Sequence, residues 1–278
     1  MRFRRAPAQP EVPPDKSPSV LAFYAHEAPS SQLAVDIFEG EWSGALPPEV
    51  GATAGAMFLY SDPRINFFIE RAGGVDGRTV LELGPLEAGH TYMLERAGAN
   101  VTAIEANSHA FLKCLIVKEL VPLTRARFLF GDFLPYLETT TERVDLLVAS
   151  GVLYHAPDPV RLLRAMARVS DSIGLWTHHF DPATMSGNQF FDRLFDPPHV
   201  VDAGGRQCTM HRRNYLESLD FAGFCGGPED SAVWMELDDI LAVLGEAGFD
   251  DVEVSYNDLA HPYGACALFH AKRLTMAR

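Results

Sequence analysis

Cysteine is scarce in this chain. Its 4 Cys (Cys114, Cys208, Cys225 and Cys266) are scattered among 278 residues and form no CxxC pair. Free thiols in a reducing, cytoplasmic compartment are the expectation. No apolar run approaches the roughly 18 residues of a membrane-spanning helix. The start, MRFRRAPAQPEVPPDKSP, is basic but has no apolar stretch behind it, so no signal peptide is expected. Positive charge is also short: 23 Lys+Arg against 37 Asp+Glu leave a net charge of −14. A polyphosphate or anionic-membrane partner needs a Lys/Arg surplus, so neither a membrane nor a nucleic-acid partner is expected. The GxGxxG fingerprint of dinucleotide-binding folds is missing as well, because Leu86 stands where its second glycine would be.

What is present is ordinary globular composition, 47% hydrophobic and 22% charged. Five prolines before residue 19 predict a disordered arm over 1–18. Residues 19–74 read as an N-terminal helical cap. Ser30 or Ser31 can cap a helix over Gln32–Glu39. Asp62-Pro63 can start another over Arg64–Arg71, ending at Gly73-Gly74.

From residue 75 onward strands and helices alternate. Strands are expected at Thr79–Leu83, Asn100–Glu105, Arg127–Phe130, Val144–Ala149 and Ser172–Thr177. Helices are expected at Gly89–Ala97, Ser108–Leu120 and Asp158–Val169. Such alternation with short connections predicts an α/β fold, a doubly wound and mostly parallel sheet. A helix over Leu237–Ala247 precedes two strands, Val252–Tyr256 and Ala265–Ala271, which read as an antiparallel hairpin at a sheet edge. Residues 180–235 interrupt the alternation. They are rich in Gly, Pro, His and aromatics and read as a lid or acceptor-binding insertion within a domain spanning 75–278.

Three acids fall at the tips of three successive strands. Glu82 lies in LELGPLEAGH, Glu105 follows it by 23 positions, and Asp132 ends the third strand in Gly131-Asp132-Phe133. The carboxyl edge is where open α/β folds bind ligands. A carboxylate at the second tip suits a ribose diol, and one at the third suits an adenine amino group, with Phe133 nearby. Glu82 and Glu87 make the first loop acidic, which suits a cation and repels a pyrophosphate. Each acid could equally be a solvated turn residue.

These residues resemble the class I S-adenosylmethionine-dependent methyltransferases over roughly 75–178, and more loosely over 236–272. VDLLVASGVLYHAPDPVRLL (residues 144–163) is the most specific match; its GVLYH segment is also similar to the tRNA wobble-uridine carboxymethyltransferases. The resemblance implies a Rossmann-like, seven-stranded sheet with its last strand antiparallel. S-adenosyl-L-methionine would be the cofactor and S-adenosyl-L-homocysteine the product. Glu82, Gly84, Pro85, Glu105, Ala106, Asp132, Phe133 and Ser150 would form the cofactor site. The family's later glycines are replaced by Leu86 and Ala88, with Gly89 available in their place.

Methyl transfer is an in-line displacement, helped by positioning and by a base for the acceptor's proton. Tyr154 and His155, after strand four, are the first candidates at the acceptor, followed by His178 and His179 after strand five. Strand alternation sends those two histidines to opposite faces. His155 could instead be a structural hydrogen-bonding residue. His211, beside Arg212-Arg213, reads as a surface residue. Tyr60 and Tyr24 could close the pocket from the N-terminal side. The aromatics of the insertion (Phe180, Phe190, Phe191, Phe195, Tyr215, Phe221, Phe224 and Trp234) form either a pocket wall or a small core of their own. His179-x-Asp181 and Cys208-x-x-His211 are fragments of metal sites with no third ligand in view, so no metal is expected.

The combined expectation is a cytoplasmic methyltransferase acting on a small molecule, in specialised or cell-surface metabolite biosynthesis. The alternatives are a tRNA-modifying (carboxy)methyltransferase and a non-catalytic adenosylmethionine-binding module.

Overall fold

A computed structural model describes residues 20–274. The arm expected over 1–18 lies outside the described residues. Among the described residues, ten strands and nine α-helices follow in order. The N-terminal segment carries α1 (Ser31–Asp36) and α2 (Pro63–Arg71). Ser30 Oγ accepts from Leu33 N at 3.2 Å and Asp62 Oδ1 from Arg64 N at 2.9 Å, so both predicted caps form. α1 stops at Asp36, three residues before the predicted end, and continues as turns.

The central sheet uses β1 (Thr79–Leu83), β2 (Asn100–Glu105), β3 (Ala126–Phe130), β4 (Leu146–Ser150) and β5 (Ser172–His178), all parallel. α3 (Gly89–Arg96), α4 (Ser108–Leu120), α5 (Phe133–Thr139) and α6 (Pro159–Val169) connect them. After β5 come α7 (Pro182–Met185), α8 (Gln189–Leu194), β6 (His199–Asp202), β7 (Gln207–Asn214) and β8 (Ser231–Met235). α9 (Leu237–Glu246), β9 (Asp251–Asp258) and β10 (Cys266–Lys272) are the last elements among the described residues.

The seven-stranded order is β3-β2-β1-β4-β5-β10-β9, with β10 antiparallel to both neighbours. This is a Rossmann-like methyltransferase fold, as expected. The winding direction reverses between β1 and β4, which makes the crevice at their carboxyl ends the place for a ligand.

Both faces of the central strands are covered. Leu81, Leu83, Leu147 and Ala149 pack on one face with α6 and α9. Val80, Val101, Leu146 and Val148 pack on the other with α2, α3 and α4. Alternate residues therefore feed opposite cores. Each buried Leu or Val contributes about 1.5–3 kcal/mol.

Two features were not read from the sequence. α5 has Pro135 as its third residue, a position whose N–H needs no intrahelical partner. The stretch after β5 is also more than helices and loops. β6, β7 and β8 form a separate antiparallel sheet, and Val233 N donates to Ala156 O at 3.0 Å, tying it to the turn after β4.

Candidate active site

The loop after β1 is held in an unusual shape. Gly84 has φ +63, and a Cβ there would meet Val152 Cγ2 at 3.2 Å. Leu86 and Ala88 also have left-handed backbones, φ 55 and 59. The family's glycines are gone, but the conformation that glycine favours remains, at about 1–2 kcal/mol per non-glycine residue. Gly89 does not take their place. Its missing Cβ leaves room for Leu59, whose Cβ and backbone would lie 2.6–2.9 Å away.

Glu105 grips this loop. Its Oε2 accepts from Leu86 N at 3.1 Å and its Oε1 from Asn107 N at 2.9 Å. Each oxygen keeps a further lone pair for a ligand hydroxyl. Glu82 is buried, and its Oε2 accepts from Thr91 Oγ1 at 2.5 Å. Its Oε1 is buried with no partner. Burial, with the Glu105 charge adding to it, pushes the Glu82 carboxyl up to about 8. Asp132 is exposed, and its Oδ1 caps α5 through Leu134 N at 2.8 Å. Phe133 is half-buried, Pro85 buried and Ala106 exposed. Ser150 Oγ at the end of β4 is buried with no partner.

Glu87 corrects the picture of a cation-attracting loop. It is fully buried and ion-paired to Lys113 Nζ at 2.8 Å. It also accepts from Ser43 N at 2.8 Å and Gly44 N at 2.7 Å. Its charge is consumed in fastening the N-terminal segment. Tyr60 serves the same junction, donating to Glu87 O at 2.7 Å. Tyr24 is exposed.

At the acceptor end, Tyr154 and His155 lie in a 3-10 turn after β4, their ring centroids 4.0 Å apart. Tyr154 also sets its edge or face against Trp176, His178 and Trp234 at 4.8–6.0 Å. The Tyr215 hydroxyl donates to Gly226 O at 2.6 Å, so its oxygen accepts from His155 Nδ1 at 2.7 Å. His155 is therefore the Nδ1–H tautomer with a bare Nε2. His178 Nδ1 faces two carbonyls, Gly264 O at 2.9 Å and Ala265 O at 3.2 Å, so it too carries its proton on Nδ1. Burial, with the Arg213 charge next, lowers His155 to about 3; burial lowers His178 to about 4.

His179 points elsewhere. Its Nε2 bonds Asn257 Oδ1 at 2.8 Å, and its Nδ1 is buried without a partner. The structure thus groups Tyr154, His155 and His178 and leaves His179 apart. His211 is a correction: it is buried, stacked on Phe180 at 3.6 Å and bonded to Glu236 at 3.1 Å. The insertion's aromatics divide. Phe180, Phe191 and Trp234 form a small core, whereas Phe190 and Phe221 are exposed.

Neither sequence fragment of a metal site finds a third ligand among the described residues. His178, His261 and Cys266 do bring their ligand atoms within 4.8 Å of one another, but the Arg213 charge beside His178 opposes a dication there. The role of Arg213 was missed. His211 and Arg213 lie two residues apart in β7 and so share a strand face, while Tyr215 follows just past the strand's end. A cleft of about 640 Å³ between α6 and the smaller sheet shares no residue with either end of this site.

Strand order and the acid-tipped carboxyl edge define the fold class, and comparison with known proteins agrees. Residues 81–176 match the family model described as a methyltransferase domain. Two ubiquinone biosynthesis O-methyltransferases are similar to this chain. The one from Serratia proteamaculans (strain 568) is 26% identical over 106 residues, 38% of this chain and 44% of the relative. The one from Sodalis glossinidius (strain morsitans) is 29% identical over 114 residues, 38% of this chain and 42% of the relative. The matched part is thus less than half the length of these curated relatives. Among solved structures, the N-terminal domain of EvdMO1, crystallised in the presence of SAH and D-fucose, superposes with TM-score 0.65. It is 24% identical, covering 88% of this chain and 95% of that one. Magnesium protoporphyrin IX methyltransferase from Synechocystis PCC 6803, with bound SAH, gives TM-score 0.51 at 13% identity, covering 82% and 92%. No helix among the described residues is long and apolar enough to cross a membrane.

Proposed function

We propose that the protein is an S-adenosylmethionine-dependent methyltransferase that methylates a hydroxyl group of a small molecule. The observation that carries this reading is Glu82. A carboxylate oxygen sealed from water with no partner is costly unless a ligand supplies one. The ammonium of the cofactor's methionine part is such a partner. Glu105 would hold the ribose through its free lone pairs, and Asp132 with Phe133 would meet the adenine. Gly84 leaves the backbone open to close approach. Bound there, the cofactor supplies a methyl group already activated on a sulfonium.

The chain's own work is positioning and proton removal. His155 Nε2 is aimed by Tyr215 and is neutral at physiological pH. It accepts the hydroxyl proton as the new C–O bond forms. A hydroxyl gaining a methyl group becomes a strong acid, so a weakly basic imidazole suffices. Tyr154 and Trp176 give the acceptor an apolar wall. Both curated relatives are O-methyltransferases, and EvdMO1 was crystallised with a sugar present, which supports a hydroxylated acceptor from specialised or cell-surface metabolism. The net charge of −14 weighs against a tRNA acceptor.

Calorimetry with adenosylhomocysteine tests the cofactor reading. Micromolar binding that Glu105→Ala weakens at least tenfold is expected. A folded protein that gives no heat would end the proposal.

A further inference from the structure

Arg213 lies at the Tyr154–His178–Trp234 ring cluster without a counterion among the described residues. It extends from β7 with its guanidinium carbon 5.3 Å from the Tyr215 ring centre and 5.7 Å from that of Trp234. No carboxylate or carbonyl of the described residues pairs with it. Every other arginine among them that is not exposed has such a partner: Arg64 with Asp62, Arg71 with Glu253, Arg206 with Glu246 and Arg273 with Asp171. A half-buried guanidinium without a partner is costly. The chain has acids to spare, 37 against 23 basic residues, yet none is placed here.

A second donor is stranded beside it. Trp234 Nε1 is buried with no acceptor. Trp234 is the register partner of His211, and Arg213 lies two residues further along β7, so Arg213 and Trp234 share one face of the smaller sheet. That face turns toward Tyr154, His155 and His178, whose rings surround Trp234 or feel the Arg213 charge.

We propose that Arg213 and the Trp234 indole N–H bind an anionic oxygen group, a carboxylate or a phosphate, carried by the acceptor. The inference rests on reading this cluster as the acceptor side of the proposed methyltransferase. The acceptor is then a hydroxy acid or a phosphorylated hydroxy compound rather than a neutral one. A guanidinium binds two oxygens of such a group side by side, which fixes orientation as well as affinity. It also couples binding to chemistry. An anion on Arg213 cancels a positive field that acts on His155, so the base strengthens once the correct acceptor is seated.

The test uses the full chain, with and without adenosylhomocysteine. Thermal unfolding and calorimetry are run with benzoate, inorganic phosphate and neutral benzyl alcohol as probes, on the natural protein, Arg213→Met and Arg213→Lys. Benzoate or phosphate, but not benzyl alcohol, is expected to bind the natural protein. Arg213→Met should lose that binding by about tenfold or more, with Arg213→Lys between them. In the absence of anion, Arg213→Met should unfold no lower than the natural protein, because a desolvated charge has been removed; an arginine with only a structural role would give the reverse. Comparison of benzoate with phosphate tells which oxyanion the cluster takes. Failure of both anions to bind, or equal binding by the natural protein and Arg213→Met, overturns the proposal. Retained adenosylhomocysteine binding separates that failure from failure of the cofactor reading, and it also shows that each variant is folded.

Discussion

The hydroxyl of Tyr215 stands between two groups, giving its proton to Gly226 O at 2.6 Å and taking one from His155 Nδ1 at 2.7 Å. One tyrosine proton therefore fixes which imidazole nitrogen is bare. Tyr215→Phe removes the acceptor that holds this tautomer. Methyl-transfer assays should show kcat reduced about 10- to 100-fold with adenosylmethionine KM little changed, since general-base catalysis contributes about 10²–10⁴-fold and only its alignment is lost. An unchanged kcat would remove His155 from the chemistry.

Glu82 carries a proton at neutral pH in the ligand-free protein, because burial raises it to about 8. A cationic cofactor beside Oε1 would lower it again. Binding near pH 7 should therefore release protons, by up to about one per site, seen as a dependence of calorimetric heat on buffer ionisation enthalpy. Glu82→Gln should abolish that dependence. The same raised value means that the folded state holds a proton the unfolded chain has lost, so this group's contribution to stability falls as pH rises from about 4.5 to 8.

Three histidines act in the opposite direction. His155 is lowered to about 3, and His178 and His270 to about 4, each chiefly by burial. The unfolded chain takes up their protons near 6.5 and the folded chain does not. Stability should be lost as pH falls below about 6.5, with a slope of about 1.4 kcal/mol per pH unit for each histidine. Urea midpoints between pH 4.5 and 7 check this. His270→Asn should flatten the slope by about one proton.

Lys113→Met leaves the Glu87 carboxylate buried and without its cation. Removing one partner of such a pair costs about 3–5 kcal/mol, and urea denaturation should show it. Amide exchange at Ser43 and Gly44, whose N–H groups donate to Glu87, should rise in the same variant.

Gly84→Ala places a Cβ in a left-handed backbone and against Val152. A loss of about 1–2 kcal/mol in stability is expected, together with weaker adenosylhomocysteine binding. Equal affinity for the cofactor product would argue against backbone approach at this point.

Much of the central sheet was legible because its strands are short apolar runs bounded by caps and glycines. Thr79–Leu83 and Asn100–Glu105 were read with the ends the structure gives. α5 was missed because it is only seven residues long and carries Pro135, a residue that helices tolerate in the first turn but not in the interior. The strands of the smaller sheet were missed because β6 is four residues long and mostly exposed, and β7 (QCTMHRRN) is made largely of polar and charged residues, which leaves little apolar alternation to see. At the site, residue types at strand tips pointed to Glu82, Glu105 and Asp132. Glu87 and His211 were misjudged for one reason: their partners, Lys113, Ser43 and Gly44 for the first and Phe180 and Glu236 for the second, are distant in sequence. Tyr215 and Arg213 became meaningful only when the fold set them beside His155.

The strained turn through Leu86 and Ala88 is anchored on one side by Glu105 and on the other by Glu87, which is buried against Lys113. Its conformational entropy is surrendered during folding, before any ligand arrives. Ligand association then orders almost no new backbone in this loop, and the heat-capacity change on binding adenosylhomocysteine should reflect the surface of the ligand itself, not a loop closing over it.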